Sequence, residues 1–382
     1  MAAAAETPPS VSGKPPLLLL RRTTGRLAAA LRSRFQVLSF HDSGGAPLHA
    51  FLAASGASDP PRAALVPGGG GIAVDAAFLD AAPHLRCVVT TSVGTDHIDL
   101  AECARRGVVV AGAGGIFSAD VADHAVGLLI DVLRRVSAAD RYARRGLWPV
   151  RGDYPLASKL SGKRVGIIGL GRIGSSIAKR LQAFGCVIHY YSRRPKETVS
   201  FKHFPDVTGL AVESDVLVVA CALNDQTRHV VNKDVLEALG KDGVLVNIAR
   251  GGNVDEAAMV RALKEGEIAG AGLDVFETEP AVPPEFFSMD NVVLTPHDAA
   301  FTTESGCDLC DLMVTNLEAF FQAERRAVPQ RRRRVEKISR CPRVVDVIAA
   351  GLRANFPVEA PGCWTKTDKT DEGLNKLAFF EC

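Results

Sequence analysis

The chain reads as an α/β protein of two domains, each built on a parallel sheet. Three observations predict this. Strand-like and helix-like stretches alternate along most of the 382 residues, a length that suggests two domains with a sizeable core. The strand-like stretches Asp215–Cys221 and Gly243–Ile248 are near-continuous apolar runs, as strands buried on both faces require. A third run, Lys163 to Ile168, ends in Gly169-Leu170-Gly171-Arg172-Ile173-Gly174, and helical spacing follows from Ser175 to Leu181.

That glycine turn organises the rest. Strand, tight turn and helix start stand in the order a dinucleotide site needs. Gly169 allows the turn, Gly171 lets the backbone approach a pyrophosphate, and Gly174 lets helix and strand pack closely. The pyrophosphate is expected at the helix N-terminus, on free N–H groups and the positive dipole end. Residues Gly169, Leu170, Gly171, Arg172, Ile173 and Gly174 are therefore candidate cofactor ligands. Gly185–Tyr191 reads as the second strand. A NAD-specific site places Asp or Glu just beyond it, about 20 residues past the glycines, to bond the ribose 2′-OH. This chain has Ser192-Arg193-Arg194-Pro195 instead. Two guanidiniums and a hydroxyl suit a 2′-phosphate, so NADPH is the expected cofactor and NADH the alternative. A solvated basic turn is the plainer reading of the same arginines.

Composition describes an ordinary globular protein, with 47% hydrophobic and 23% charged residues and a net charge of +2. Nothing there calls for nucleic acid. The run Arg331–Arg334 is read as a solvated basic segment. Nine scattered cysteines give no disulfide framework and point to a reducing compartment. Cys307 and Cys310 form one CxxC without a second pair, so no metal site is expected. No run has membrane-spanning length, Leu17–Leu20 is too short for a secretory core, and the expected location is cytoplasmic.

In order, residues 17–22 and 35–40 read as strands around a helix from Thr24 to Ser33. Ala63–Val66 is a strand, and Gly68–Gly71 a flexible loop, since no Lys-Ser/Thr follows to make a phosphate loop. A helix over Asp75–Ala82 and a strand over Arg86–Thr90 complete a small α/β unit. Ser92-Val93-Gly94-Thr95-Asp96 follows that strand, where free backbone N–H groups suit a small carboxylate. A helix to Arg106 and a strand at Val108–Val110 come next. Val121–Val136 is a long apolar helix linking the halves, and its His124 is read as a packed helix histidine. Further on, helix Glu256–Glu265 separates two strands. Three consecutive strands end near Arg250, Glu279 and His297, so a base, an acid and an imidazole converge at carboxyl ends, where open parallel sheets bind ligands. A plain ion pair and a satisfied buried histidine are the plainer readings.

With these residues the chain resembles the D-isomer-specific 2-hydroxyacid dehydrogenases. Five motifs match in order: Ser92–Asp96, Gly169–Gly174, Asn247-Ile248-Ala249-Arg250-Gly251, Gly272-Leu273-Asp274-Val275-Phe276-Glu277-Thr278-Glu279-Pro280, and Thr295-Pro296-His297. The coverage is about residues 17–328. Tyr190–Arg193, Val219–Leu223, Thr227–His229 and Asn316–Phe321 look most like the plant-type glyoxylate/hydroxypyruvate and hydroxyphenylpyruvate reductases. The resemblance implies two Rossmann-like or flavodoxin-like domains, with the cofactor domain inserted in the substrate domain. The expected layout is a disordered extension over 1–16, a substrate domain over 17–122 and 299–328, a cofactor domain over 123–298 and an atypical basic tail over 329–382. The active site is then expected in the cleft between them.

The resemblance also implies roles. Arg250 holds the 2-keto acid. His297 protonates the carbonyl oxygen as hydride arrives at C2, and Glu279 fixes its tautomer and raises its pKa, which is the chemistry a forming alkoxide needs. The N–H groups of Val93 and Gly94 cradle the substrate carboxylate, Asp274 lies near the nicotinamide amide, and Cys221, Thr227 and Ile248 join the cofactor site. The implied protein is an NADPH-preferring 2-keto acid reductase and a homodimer, with contacts from the Val121–Arg135 helix and the segment around Tyr142–Tyr154. An NAD-linked D-lactate-type dehydrogenase is the related alternative, and a dinucleotide-sensing corepressor-like protein the rival from another class. Two departures stand out. Asp298-Ala299-Ala300 follows His297 where the subfamily often has Val-Gly-Ser, which bears on substrate choice. The tail from Gln330 to Cys382 matches no regulatory domain.

Overall fold

The structure, a computed structural model, describes residues 13–23, 25–55, 59–68 and 72–327. The expected basic tail, most of the N-terminal extension and Gly69–Gly71 lie outside the described residues. The chain divides into two compact units, one up to Gly114 and from Gly306 onward, the other Gly115–Ser305.

In the first unit five parallel strands, β1 (Pro16–Leu19), β2 (Gln36–Ser39), β3 (Ala63–Val66), β4 (Cys87–Thr90) and β5 (Val109–Ala111), lie in the order β2-β1-β3-β4-β5. Helices α1 (Gly25–Arg34), α2 (Leu48–Ala54), α3 (Ala76–Ala81) and α4 (Leu100–Arg105) connect them. Strands β1, β3 and β4 are buried along their whole length, and Leu18, Ala64, Val66, Leu79, Val88 and Ile98 share one core. Asp75 and Asp99 cap α3 and α4, accepting from Phe78 N–H and Glu102 N–H at 2.9 and 2.8 Å. Residues 14–16, assigned by sequence to a disordered extension, are instead tied to this sheet. Pro16 opens β1, Pro15 O accepts from Gln36 N–H, and Lys14 Nζ donates to Arg32 O. Backbone pairing to β2 orders them.

The second unit begins with α5 (Ser118–Arg134), α6 (Val136–Arg144) and α7 (Trp148–Arg151). The apolar spacing predicted one helix over Val121–Val136. Arg135 adopts a left-handed conformation (φ 53°), which ends α5 and starts α6. Then follow β6 (Arg164–Ile168), α8 (Arg172–Ala183), β7 (Val187–Tyr191), β8 (Lys202–Phe204), α9 (Val207–Val212), β9 (Val216–Val219), α10 (Lys233–Leu239), β10 (Val244–Asn247), α11 (Glu256–Glu265), β11 (Gly270–Leu273) and β12 (Val292–Leu294). Seven parallel strands lie in the order β12-β11-β10-β9-β6-β7-β8. The order reverses beside β6, the place where doubly wound sheets bind ligands. Helix α12 (Thr303–Ala327) runs from this unit into the return segment of the first.

The division falls at Gly114/Gly115 and Ser305/Gly306, rather than at the expected 122/123 and 298/299. Contacts of residues 115–122 explain the first shift: a Cβ on Gly115 would lie 3.3 Å from the Arg172 side chain, and Arg180 Nη2 donates to Ala119 O at 3.2 Å, so the start of α5 belongs with α8. Hydrogen bonds explain the second, because Ser305 Oγ donates to Ala300 O and Thr302 Oγ1 donates to Asp120 Oδ1 at 2.7 Å.

Candidate active site

Every candidate in the second unit sits at or just beyond the carboxyl end of a strand. After β6, Gly169 turns the chain with φ 99°, and a Cβ there would stand 2.8 Å from the backbone of Cys221. A Cβ on Gly174 would stand 2.1 Å from Gly169 O, so helix and turn touch. Gly171 differs, because a Cβ there would meet nothing within 4 Å. It opens α8 with no side-chain cap, which leaves first-turn N–H groups facing that space. An open cradle at an uncapped helix N-terminus fits a pyrophosphate.

Cys221 follows β9 and packs on Gly169, and burial pushes its thiol up to about 11. Thr227 closes the same loop, donating to Ala222 O at 2.7 Å and accepting from Asn224 N–H at 2.8 Å. Ile248, just past β10, is buried. Beyond β7, Ser192 Oγ donates to Arg194 O at 2.7 Å. The Arg193 and Arg194 side chains are exposed and make no intramolecular bond among the described residues.

Arg250 is placed by Asn247, a polar residue 2% exposed at the end of an apolar strand. Asn247 Nδ2 donates to Arg250 O at 2.9 Å, and its Oδ1 accepts from Ala249 N–H at 3.1 Å. Next to it, a Cβ on Gly251 would stand 1.8 Å from the carbonyl carbon of Phe276, so only glycine lets the Arg250 loop meet the chain leading to Glu279.

His297 Nδ1 lies 2.7 Å from Glu279 Oε2, while Glu279 Oε1 accepts from Phe276 N–H at 3.0 Å. With Nδ1–H given to the carboxylate, Nε2 is the ring atom left for a ligand. The Glu279 hydrogen bond raises the His297 pKa; burial opposes this, the Glu279 charge adds to it, and Arg250 lowers it. Burial would push the Glu279 carboxyl up, but the His297 hydrogen bond and charge, the Phe276 N–H and Arg250 together hold it below the usual range. The Arg250 charge thus acts on both partners of this pair.

The turn that presents His297 is held from below. His297 has φ 55°, a conformation costly for a residue with a Cβ, and its N–H donates to Asp274 O at 2.7 Å. Asp274, 1% exposed, accepts from Thr295 Oγ1, Asp298 N–H and Ala299 N–H at 2.7, 2.9 and 3.2 Å. Thr295 spends its hydroxyl proton on Asp274, so it accepts from His124 Nε2 at 2.9 Å. His124 therefore supports the turn, beyond packing its own helix. The sequence assigns Asp274 to the cofactor; its carboxylate is engaged in organising this turn.

Asp298 points beneath the turn. Its Oδ1 is buried without a hydrogen-bond partner, 3.9 Å from His124 Nε2. Burial, then the neighbouring Asp274 charge, raises its pKa. His124, Asp274 and Asp298 bring three potential ligand atoms within 4.8 Å of one another, but His124 and both Asp274 oxygens already serve the turn.

Val93 and Gly94 belong to the first unit. Ser92 Oγ donates to Gly94 O at 2.6 Å, and a Cβ on Gly68 would stand 2.2 Å from Ser92 Cβ, so this loop is fixed by close packing. Among the described residues the N–H groups of Val93 and Gly94 have no acceptor. No described helix is long and apolar enough to cross a membrane.

Comparison with known proteins agrees with this geometry. Residues 126–299 match the family model described as D-isomer specific 2-hydroxyacid dehydrogenase, NAD binding domain. A glyoxylate/hydroxypyruvate reductase of Arabidopsis thaliana is 50% identical over 312 residues, 81% of this chain and 95% of that protein. A hydroxyphenylpyruvate reductase of Plectranthus scutellarioides is 49% identical over 259 residues, 68% of this chain and 82% of the relative. The crystal structure of an NADPH-dependent glyoxylate/hydroxypyruvate reductase from Sinorhizobium meliloti, in complex with NADP and malonate, has 39% identity and a TM-score of 0.74. That likeness covers 81% of this chain and 94% of that one. The two α/β units are thus of a known kind, the second a Rossmann-type NAD-binding domain, and the chain belongs to the D-isomer-specific 2-hydroxyacid dehydrogenase family.

Proposed function

We propose that this chain is an NADPH-preferring reductase of small 2-keto acids, glyoxylate and hydroxypyruvate ahead of hydroxyphenylpyruvate, giving D-2-hydroxy acids. The observation that carries the reading is the His297–Glu279 pair at 2.7 Å, with the imidazole pKa raised. An imidazolium that keeps its proton to higher pH than an ordinary histidine can give its Nε2 proton to a carbonyl oxygen as that oxygen takes on alkoxide charge. A bound nicotinamide cofactor supplies the hydride. Arg250 holds the keto acid by its carboxylate and carbonyl oxygens, through charge-assisted bonds. In the first unit, the N–H groups of Val93 and Gly94, which have no acceptor among the described residues, are the candidates for a substrate carboxylate. Gly169–Gly174 carries the pyrophosphate, with Cys221, Thr227, Ile248 and Asp274 around the rest of the cofactor. Ser192, Arg193 and Arg194 favour the 2′-phosphate of NADPH. The names of the relatives support the substrate class.

Two further points belong to this reading. Val136, Trp148, Val150 and Leu156 expose 52, 63, 78 and 98% of their surface along one segment of the second unit, which supports a homodimer through that face. A solution mass equal to one chain would remove that idea. A cytoplasmic location is supported by Cys87, Cys103, Cys186, Cys221, Cys307 and Cys310, all free thiols.

The test is initial-rate oxidation of NADPH and of NADH with the three keto acids, for the wild type and His297→Ala. Turnover that prefers NADPH and drops roughly 10²- to 10⁴-fold in the variant is expected, the range a positioned proton donor contributes. A wild type that binds NADPH yet reduces none of the three would overturn the reading. A preference for NADH would overturn the cofactor assignment alone.

A further inference from the structure

Loops that follow neighbouring parallel strands leave the sheet side by side. β6 and β7 are such neighbours, with Ile168 paired to Tyr191 and Gly169 N–H donating to Tyr191 O at 2.9 Å. The glycine turn and the Ser192–Lys196 loop therefore emerge together. Lys196 joins them, because its Nζ donates to Leu170 O within the glycine turn. The loop beneath it is fixed. Lys196 N–H donates to the hydroxyl of Tyr190, itself 1% exposed, at 2.8 Å. His203 Nε2, on β8, donates to Ser192 O at 2.9 Å.

An ammonium carries three donors and a full charge. One donor spent on a neutral carbonyl leaves two, at the seam between the turn that takes a pyrophosphate and the position about 20 residues on that meets the ribose 2′-substituent. A compact cation with rotatable donors binds a phosphate without needing a planar fork. We infer that Lys196 is a further cofactor-binding residue: docked on Leu170 O, its ammonium holds the 2′-phosphate of NADPH together with Arg193 and Arg194. This rests on the NADPH reading above and adds a residue to it. Among the described residues the Arg193 and Arg194 side chains have no partners to place them, whereas Lys196 is already anchored at the glycine turn.

The test uses 2′,5′-ADP and 5′-AMP, which differ only by the 2′-phosphate, titrated calorimetrically into the full-length wild type, Lys196→Met and Lys196→Arg. The wild type should bind 2′,5′-ADP more tightly than 5′-AMP. Lys196→Met should lose about 10-fold in 2′,5′-ADP affinity, the size of one charge-assisted hydrogen bond, and keep its 5′-AMP affinity. Lys196→Arg should recover most of that loss. Equal weakening of both ligands would make Lys196 only a clamp on the glycine turn, and unchanged 2′,5′-ADP binding in Lys196→Met would remove it from the site; either result overturns the inference and leaves the NADPH reading standing. A wild type without preference for 2′,5′-ADP would overturn both.

Discussion

Around the glycine turn the chain makes its site by leaving groups out. Gly171 has no side chain where a Cβ would meet nothing, and α8 starts without a cap, while α9, α10 and α11 in the same unit are capped by Asp206, Asn232 and Asp255. Around His297 it makes the site by adding bonds. Glu279 holds the imidazole, and Asp274 holds the turn through three acceptor contacts. A site made of empty space fails when something fills it. A site made of hydrogen bonds fails by degrees, as each is removed.

The largest expected effect breaks the first kind. Gly174→Ala places a Cβ 2.1 Å from Gly169 O, a backbone atom that cannot swing aside. Overpacking of this sort costs about 1–3 kcal/mol, so the melting temperature should fall by several degrees and dinucleotide binding should be lost with it. Gly171→Ala sharpens the contrast. Its backbone is extended at φ −78°, and the new Cβ meets nothing, so the melting temperature should fall by only about 1–2 °C, the cost of alanine in place of glycine at an N-cap, while NADPH binding collapses. Calorimetric titration beside a thermal melt separates the two. Normal NADPH binding by Gly171→Ala would show that the pyrophosphate lies elsewhere.

The second kind predicts a smaller loss with a pH signature. Glu279 raises the His297 pKa, so keto-acid reduction should persist as pH rises beyond the usual histidine range and then fall as the imidazolium gives up its proton. Glu279→Gln keeps a hydrogen-bonding side chain but removes the charge. The alkaline limb of kcat/KM should move to lower pH, and kcat should fall on the order of 10²-fold, the lower end of what a positioned proton donor contributes. An unmoved limb would mean that His297 is not the titrating group.

The same contrast explains what could be read from the sequence. Empty space needs glycine at fixed intervals, which is a local pattern, so Gly169–Gly174 was legible at once. Ala63–Val66 and Glu256–Glu265 were likewise legible to the residue, and the structure adds the Asp255 cap of the helix. Arg250, Glu279 and His297 were legible as strand-end residues in a familiar order. Asp274 was read only as a cofactor neighbour, because its partners lie 21 to 25 residues away and meet it only once β11 and β12 pair. His124 meets Thr295 across 171 residues, and no local signal carries that. Asn247 did offer a sign, an amide ending the run Val244-Leu245-Val246. Short β8 and α9, of 3 and 6 residues, form because neighbours complete them, which composition does not show.

Asp298 gives the smallest effect and the finest test of how bonds are shared beneath the turn. Its Oδ1 is buried, has no hydrogen-bond partner and faces Asp274, so burial and a like charge both favour the protonated form. A carboxyl whose pKa is raised on folding takes up protons in the folded state. Its ionisation therefore costs stability as pH rises from the unfolded value through the folded one, and that cost persists above it. Asp298→Asn removes the cost. Because the side chain is 35% exposed, solvent screening keeps the gain below about 1 kcal/mol, a rise in melting temperature of about a degree or two near pH 8. The gain should vanish at pH 3, where both side chains are neutral. A loss of stability near pH 8 would mean instead that the Asp298 carboxylate makes a favourable contact that the amide cannot replace, and that the turn under His297 is held from Asp298 as well as from Asp274.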